Sequence, residues 1–339
     1  MKLSKYRFII KPQRELILPP YKGSTFRGGF GNAFKHAVCM DREKECANCA
    51  LRQKCVYSYV FETPNPVKAK KTEESKDENV PHPFVIEPAL DERQYYGKDD
   101  ELEFHLILIG RAVDYIPYFI YAFEELGRTG IGRNKGKYSL ERVVSLDKDK
   151  EIIIYDGDSH FRDDCLVIDS SELVREAEEL NCHTAALRFL TPTRIKYQGK
   201  LIIDMDFGIL IRNLLRRLSW LAEVHCDEKW ELDWKGLIQR AAVVKTVHSD
   251  LQWRDWERYS QRQGTRMKMG GFVGEMRFEG DLAEFNPFLK IGEFLHIGKG
   301  TVYGLGKYEI LSGEADQLAG RALRGLSSFN EKISDFISK

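Results

Sequence analysis

Cys39, Cys46, Cys49 and Cys55 fall within one seventeen-residue stretch, with the spacing C-x6-C-x2-C-x5-C. Four thiolates delivered just past a helix end suit tetrahedral zinc, and a closed four-ligand site is structural, because no position is left for water. An iron–sulfur cluster uses the same ligands, and ordinary reduced thiols need none, so three readings of the cluster stand. Cys165, Cys182 and Cys226 are isolated. Histidine is the natural proton-transfer group, because its ordinary pKa of about 6.5 lies near working pH. His36 shares a helix face with Asn32, one turn earlier, beside an apolar stripe. His296 falls in the last turn of a second helix, where the macrodipole favours the imidazolium, and it suits a general acid or a phosphate cation. His105 and His183 show no usable partner spacing.

Two glycine-rich strings carry cations. LGRTGIGRNKGKYSL at 126–140 holds Arg133 and Lys135, and HIGKGTVYGLGKYEI at 296–310 holds Lys299 and Lys307. Glycines let a backbone approach a phosphate and present its amides. Neither string has the order of a P-loop or of a dinucleotide fingerprint, since here the glycines follow a helix and enter a strand. Further cations sit on regular elements. Arg212, Arg216 and Arg217 lie away from the apolar face of a helix at 206–225, and Arg188, Arg194 and Lys196 lie on the strand before it. Arginines so placed can fork onto phosphates, and a solvated helix face is the plain alternative. Arg254, Arg258, Arg262, Arg266 and Lys268 interleave with Trp253, Trp256 and Tyr259, aromatic residues that can stack on unpaired bases or fill a core.

These residues need elements to position them. YRFIIK and ELEFHLILI (101–109) alternate as strands with one buried face. Between them Phe26, Phe30, Ala33, Phe34, Ala37 and Val38 mark an amphipathic helix at 24–39. Strands at Val85–Leu90 and Lys137–Val144 and a helix at 111–126 complete the order strand, helix, strand, strand, helix, strand, which is ferredoxin-like. The pattern recurs from Thr184, with strands at 185–196 and 270–279, the helix at 206–225, less defined elements at 230–260, and a helix over NPFLKIGEFLHIG before a last strand. In that helix Asn286 suits the cap, Pro287 the first turn and Gly298 the stop. Both halves end Gly-Lys-Tyr, as an internal repeat would. The expectation is an α+β chain of two tandem ferredoxin-like domains, 1–146 with a four-cysteine insertion and 184–312. An acidic connector at 147–183 joins them, and 313–339 is a tail.

The chain has 339 residues, 42% of them hydrophobic, which is enough for two cores. Lys plus Arg and Asp plus Glu both number 52, so no global excess announces a nucleic-acid partner. The zero hides segregation: acidic residues crowd 72–78 and 156–179, basic ones 127–142, 188–217 and 254–268. Residues 63–82 have the polar, proline-punctuated composition of a loop. The first residues fit neither a signal peptide nor a membrane span, so a cytoplasmic protein with no membrane partner is expected.

The string HIGKGTVYGLGKY near the C-terminus, placed between a helix and a strand, resembles the RAMP proteins of CRISPR systems. LPPYKGSTFRGGFGNAFKHAVC, the cysteine group after it, PHPFVIEP and LRFLTPTRIK are similar to one branch, the precursor-CRISPR-RNA processing endoribonucleases of the sixth Cas family. Together these strings cover most of 16–310. The resemblance implies cleavage of CRISPR repeat RNA without metal, in which a ribose 2′-hydroxyl attacks the adjacent phosphate and leaves a 2′,3′-cyclic phosphate. Such a reaction needs a base, an acid and cations or amides to hold the charge on phosphorus. By resemblance His36, Tyr21 and His296 are the catalytic candidates. Lys22, Arg27, Arg133, Lys135, Arg194, Arg212, Arg216, Arg217, Lys299 and Lys307 are the RNA-binding ones. Where many relatives carry histidine, this chain has Asn32. A non-catalytic RAMP subunit holding the repeat-derived handle in an effector complex therefore stays open, as does a redox protein built on the cysteines.

Overall fold

The computed structural model describes residues 1–40, 45–63, 80–157, 161–260 and 265–311. The 313–339 tail and most of the polar 63–82 stretch lie outside them. In the first half β1 (Lys2–Pro12), α1 (Gly23–Val38), β2 (Phe84–Pro88), β3 (Leu102–Ile109), α2 (Ile116–Thr129) and β4 (Tyr138–Asp147) follow in the expected order. The sheet runs β2-β3-β1-β4, with every neighbouring pair antiparallel. The second half repeats this with β6 (Thr184–Thr193), α4 (Phe207–His225), β7 (Lys245–Arg254), β8 (Gly271–Glu279), α6 (Asn286–Leu295) and β9 (Tyr308–Leu311), in the sheet order β7-β8-β6-β9. Numbered within each half, both sheets read 2-3-1-4. The fold is α+β, with two tandem ferredoxin-like domains.

Each domain packs its helices on one sheet face. Phe30 of α1 sits at the centre of the first core, stacked on Phe119 and Phe123 of α2 with ring centroids 5.0 and 4.7 Å away. In the second, Leu214, Met276, Leu289 and Tyr308 share a core, and the Tyr308 hydroxyl donates to the Leu289 carbonyl at 2.6 Å. Aromatic rings prefer such offset and edge contacts, which add about 0.5–1.5 kcal/mol per pair to burial.

The strand pattern understates one feature. Val85, Ile107 and Ile109 point to the other face of the first sheet, where one buried face was expected, yet they are also buried. They meet Leu218 and Leu221 of α4 and Ile291 and Leu295 of α6 in a third apolar cluster. The second domain thus covers the back of the first sheet. Each fully buried side chain of this kind contributes roughly 1.5–3 kcal/mol, so the domains are joined by a core and not by a tether.

Residues 147–183, expected as an acidic connector, are built into the fold. β5 (Lys150–Tyr155) extends the first sheet beyond β4, and Ile168–Asp169 pairs with the start of β1. α3 (Ser170–Ala177) follows, its N-terminus capped by the Asp169 carboxylate on the Ser171 amide. The weakly marked 230–260 region holds α5 (Trp234–Ala241) and β7. The ends of α6 also differ from expectation. Pro287 is in the first turn, but the Asn286 amide donates to the Asn181 carbonyl instead of capping, and the helix stops at His296, with φ at 64°, before Gly298. No helix among the described residues is long and apolar enough to cross a membrane.

Candidate functional site

A cleft of about 1460 Å³ opens between the domains. Its long wall is α1, where Ser24, Gly28, Asn32 and His36 succeed one another at four-residue spacing and so share one face. Gly28 leaves open space where a side chain would stand. His36 is exposed on this face, one turn beyond Asn32. A second wall is the first glycine string, whose Arg133 and Lys135 are exposed at the rim. The second domain supplies the third wall with Thr191, Trp256 and Tyr303.

Arg27 lies in the cleft between two aromatic rings, its guanidinium 5.3 Å from the Phe61 centroid and 5.5 Å from that of Tyr303. Both contacts hold a cation in place through the ring quadrupoles. Tyr21 lines the cleft too, but its hydroxyl already donates to the Tyr303 carbonyl at 2.7 Å, and its ring packs on Trp256 at 4.8 Å. Burial, and then the charge of Glu87, raises the phenol well above its ordinary pKa. Tyr21 is therefore a neutral strut between the domains, its hydroxyl proton engaged by the Tyr303 carbonyl.

His296 does not reach the cleft. It is fully buried, with Nε2 against the Glu87 carboxylate at 2.8 Å and Nδ1 against the Leu305 carbonyl at 3.1 Å. Burial pulls its pKa down, while the Glu87 hydrogen bond pulls it up. The catalytic expectation for His296 is corrected: both ring nitrogens are engaged inside the protein. Lys307 is spent on the same carboxylate at 3.0 Å. Burial works to raise the Glu87 pKa, but the His296 hydrogen bond and the charges of Lys5 and Lys307 outweigh it and hold the carboxyl well below the usual range.

Two more expected RNA contacts turn inward. Lys22 is buried, bonded to the Asp91 carboxylate at 2.8 Å and to the Asp91 carbonyl at 2.7 Å. Arg217, the one arginine of its helix trio on the inner face, bonds the Leu295 carbonyl at 2.9 Å and that of His296 at 3.1 Å. It satisfies the end of α6, and burial lowers its pKa to about 9. Arg188 is paired across the sheet with Glu275 and Glu309.

Other cations converge on the surface. Lys299 is exposed, and partial burial together with Lys196, Arg216 and Arg194 pulls its ammonium below its ordinary pKa. Its backbone amide bonds the Arg194 carbonyl at 3.0 Å, which seats the second glycine string on the end of β6. The Arg194 guanidinium also donates to the Gly270 carbonyl at 2.6 Å. Arg212 is exposed on the same helix as Arg216. Trp253 is exposed, its indole N–H donating to Asp255, and Arg254 lines the cleft. Arg262 lies outside the described residues.

No disulfide joins the four clustered cysteines, and among the described residues no group of three or more His, Cys, Asp or Glu side chains gathers to hold a metal.

Known proteins place this architecture. Residues 187–308 match the family model of the CRISPR-associated endoribonuclease Cas6. The second domain is thus similar to Cas6. Residues 1–165 match a separate model described as an N-terminal domain. An uncharacterized protein of Archaeoglobus fulgidus is 27% identical over 300 residues, 87% of this chain and 93% of that one. A Cas6 product complex superposes with a TM-score of 0.55 at 17% identity, over 91% of this chain and 99% of that one. The Cas6 of Thermus thermophilus gives 0.50 at 15% identity, over 91% and 98%. At these identities the superpositions carry the Cas6 fold.

Trp256, read from sequence as a base-stacking or core residue, lines the cleft, while Glu87 and Tyr303 were not among the residues singled out there. Glu87 had a legible signal, a lone acid in the apolar strand FVIEP. Tyr303 had none, since it reaches the cleft only through the domain arrangement.

Proposed function

We propose that this Cas6-type protein is an endoribonuclease that binds CRISPR repeat RNA in the interdomain cleft and cuts it without metal. One observation carries the reading: an exposed histidine, His36, stands on the α1 wall of a cleft whose cations include Arg27, Arg133 and Lys135. The 2′-oxygen forms a bond to the adjacent phosphorus as the bond to the 5′ oxygen breaks. The products are a 2′,3′-cyclic phosphate and a 5′-hydroxyl end. His36 exchanges the proton, and Arg27, held between its rings, faces the charge gathering on the phosphate. Arg194, Lys196, Arg216 and Lys299 hold the RNA backbone beside the cleft.

One of the structural relatives is a Cas6 product complex, which fits occupancy of such a cleft. Incubation with labelled cognate repeat RNA in EDTA tests the reading, alongside RNA carrying a 2′-deoxy substitution at the cut site. A single cut that survives chelation and vanishes on 2′-deoxy substitution is expected. Tight binding with intact RNA in both reactions would replace the enzyme with a handle-binding subunit, the reading that Asn32 favours.

A further inference from the structure

Glu87 is a carboxylate in an otherwise apolar strand and is 3% exposed. A charge so placed persists only where opposite charges and hydrogen bonds compensate its desolvation. Its partners come from both domains. Oε2 faces Lys5 Nζ of β1 at 2.8 Å, within the first domain. Oε1 meets His296 Nε2 at 2.8 Å and Lys307 Nζ at 3.0 Å, from the two ends of the second glycine string.

The strap between those ends carries Tyr303 in a single 3-10 turn. The Tyr303 carbonyl receives the Tyr21 hydroxyl and presses on the start of α1, where a Cβ at Gly23 would collide with its oxygen. Gly304, with φ at 79°, passes so close to Ile86 and Pro88 of β2 that no side chain fits there. The Tyr303 ring is one of the two that hold Arg27.

We propose that Glu87 is a positioning residue for the cleft: by gripping both ends of the 296–307 strap across the domain boundary, it fixes Tyr303 on α1 and sets where Arg27 stands. The kinetic part of this proposal rests on the endoribonuclease reading, and the conformational part does not.

Glu87→Gln keeps the side-chain volume and one acceptor oxygen but removes the charge. It is compared with wild type, Lys307→Met and Lys5→Met by hydrogen exchange, and by single-turnover cleavage and affinity on cognate repeat RNA. The amides of Tyr303 and Gly304 report on the strap, because both close its turn, at 2.9 and 2.8 Å. In Glu87→Gln and Lys307→Met these amides exchange at least about tenfold faster, while β1 stays protected. Cleavage at saturating RNA falls by about tenfold or more, with affinity changed less than about threefold. Lys5→Met leaves the strap protected, since both contacts between domains remain.

A strap as protected in Glu87→Gln and Lys307→Met as in wild type overturns the proposal. So does protection lost throughout the molecule in both variants, which would make Glu87 a general stability residue. An opened strap with undiminished cleavage overturns the positioning role. Wild-type protein that binds but never cuts defeats the endoribonuclease reading alone, and the exchange comparison still decides whether Glu87 is the latch.

Discussion

The two glycine strings look alike in sequence and occupy the same place in their domains, yet they spend their cations differently. The first, at 126–140, leaves Arg133 and Lys135 exposed at the cleft rim. The second, at 296–310, turns His296 and Lys307 inward onto Glu87 and keeps only Lys299 at the surface. A neighbouring domain makes the difference. The first string borders the cleft with its cations, whereas the second borders it only with Tyr303 and lies against β2 of the other domain, where any cation must find a partner. Residue type and spacing define what a loop can do, and burial decides what it does.

Substitutions can break this comparison. The largest effect is expected from His36→Ala, which lowers single-turnover cleavage by roughly 10²- to 10⁴-fold while RNA affinity holds. His296→Ala should act on stability instead, costing about 3–5 kcal/mol by leaving Glu87 short of a buried partner, as read by chemical denaturation. If His296→Ala cleaved nothing at unchanged stability, the inward reading of the second string would be wrong. The paired change Arg133→Ala with Lys135→Ala weakens RNA binding and shallows the dependence of log affinity on log salt by about 1.4, at about 0.7 per contact. The matching Lys22→Ala leaves that slope unchanged, because its ammonium is held by Asp91.

The mildest effect is one of pH. His225 is buried, with Nδ1 at the Tyr59 hydroxyl and Nε2 at the Pro81 carbonyl, and burial lowers its pKa from 6.5 to about 4. The unfolded chain therefore takes up this proton first as pH falls. Stability from keeping His225 neutral is complete above pH 6.5 and is lost between 6.5 and 4, by an amount on the order of 3 kcal/mol. Denaturation midpoints across that range should fall for wild type and fall less steeply for His225→Gln, in which the buried His82 and His105, also lowered to about 4, still contribute.

Much of the fold was legible. Alternation in YRFIIK and the helical recurrence of Phe26, Phe30 and Phe34 gave true elements, because each depends on one local periodicity. The back of the first sheet was not legible: Ile107 and Ile109 read as the solvent side of a strand until α4 and α6 of another domain cover them. Arg217 misled for the same reason, since helical spacing separates faces without saying which of them a second domain will bury. At the cleft, His36, Arg27, Arg133 and Lys135, the candidates that the resemblance supplied, all line the wall. Glu87 and Tyr303 gain their positions from contacts more than two hundred residues apart in the chain.

That shared core also bears on synthesis. Residues emerging first from the ribosome supply the first sheet by Asp169, while the helices that cover Val85, Ile107 and Ile109 are still to be translated. The nascent first domain therefore waits with an apolar back facing water, a state prone to aggregation and suited to chaperone binding. A fragment ending at residue 165 should come out insoluble when expressed alone, and co-expression with residues 184–339 should rescue it.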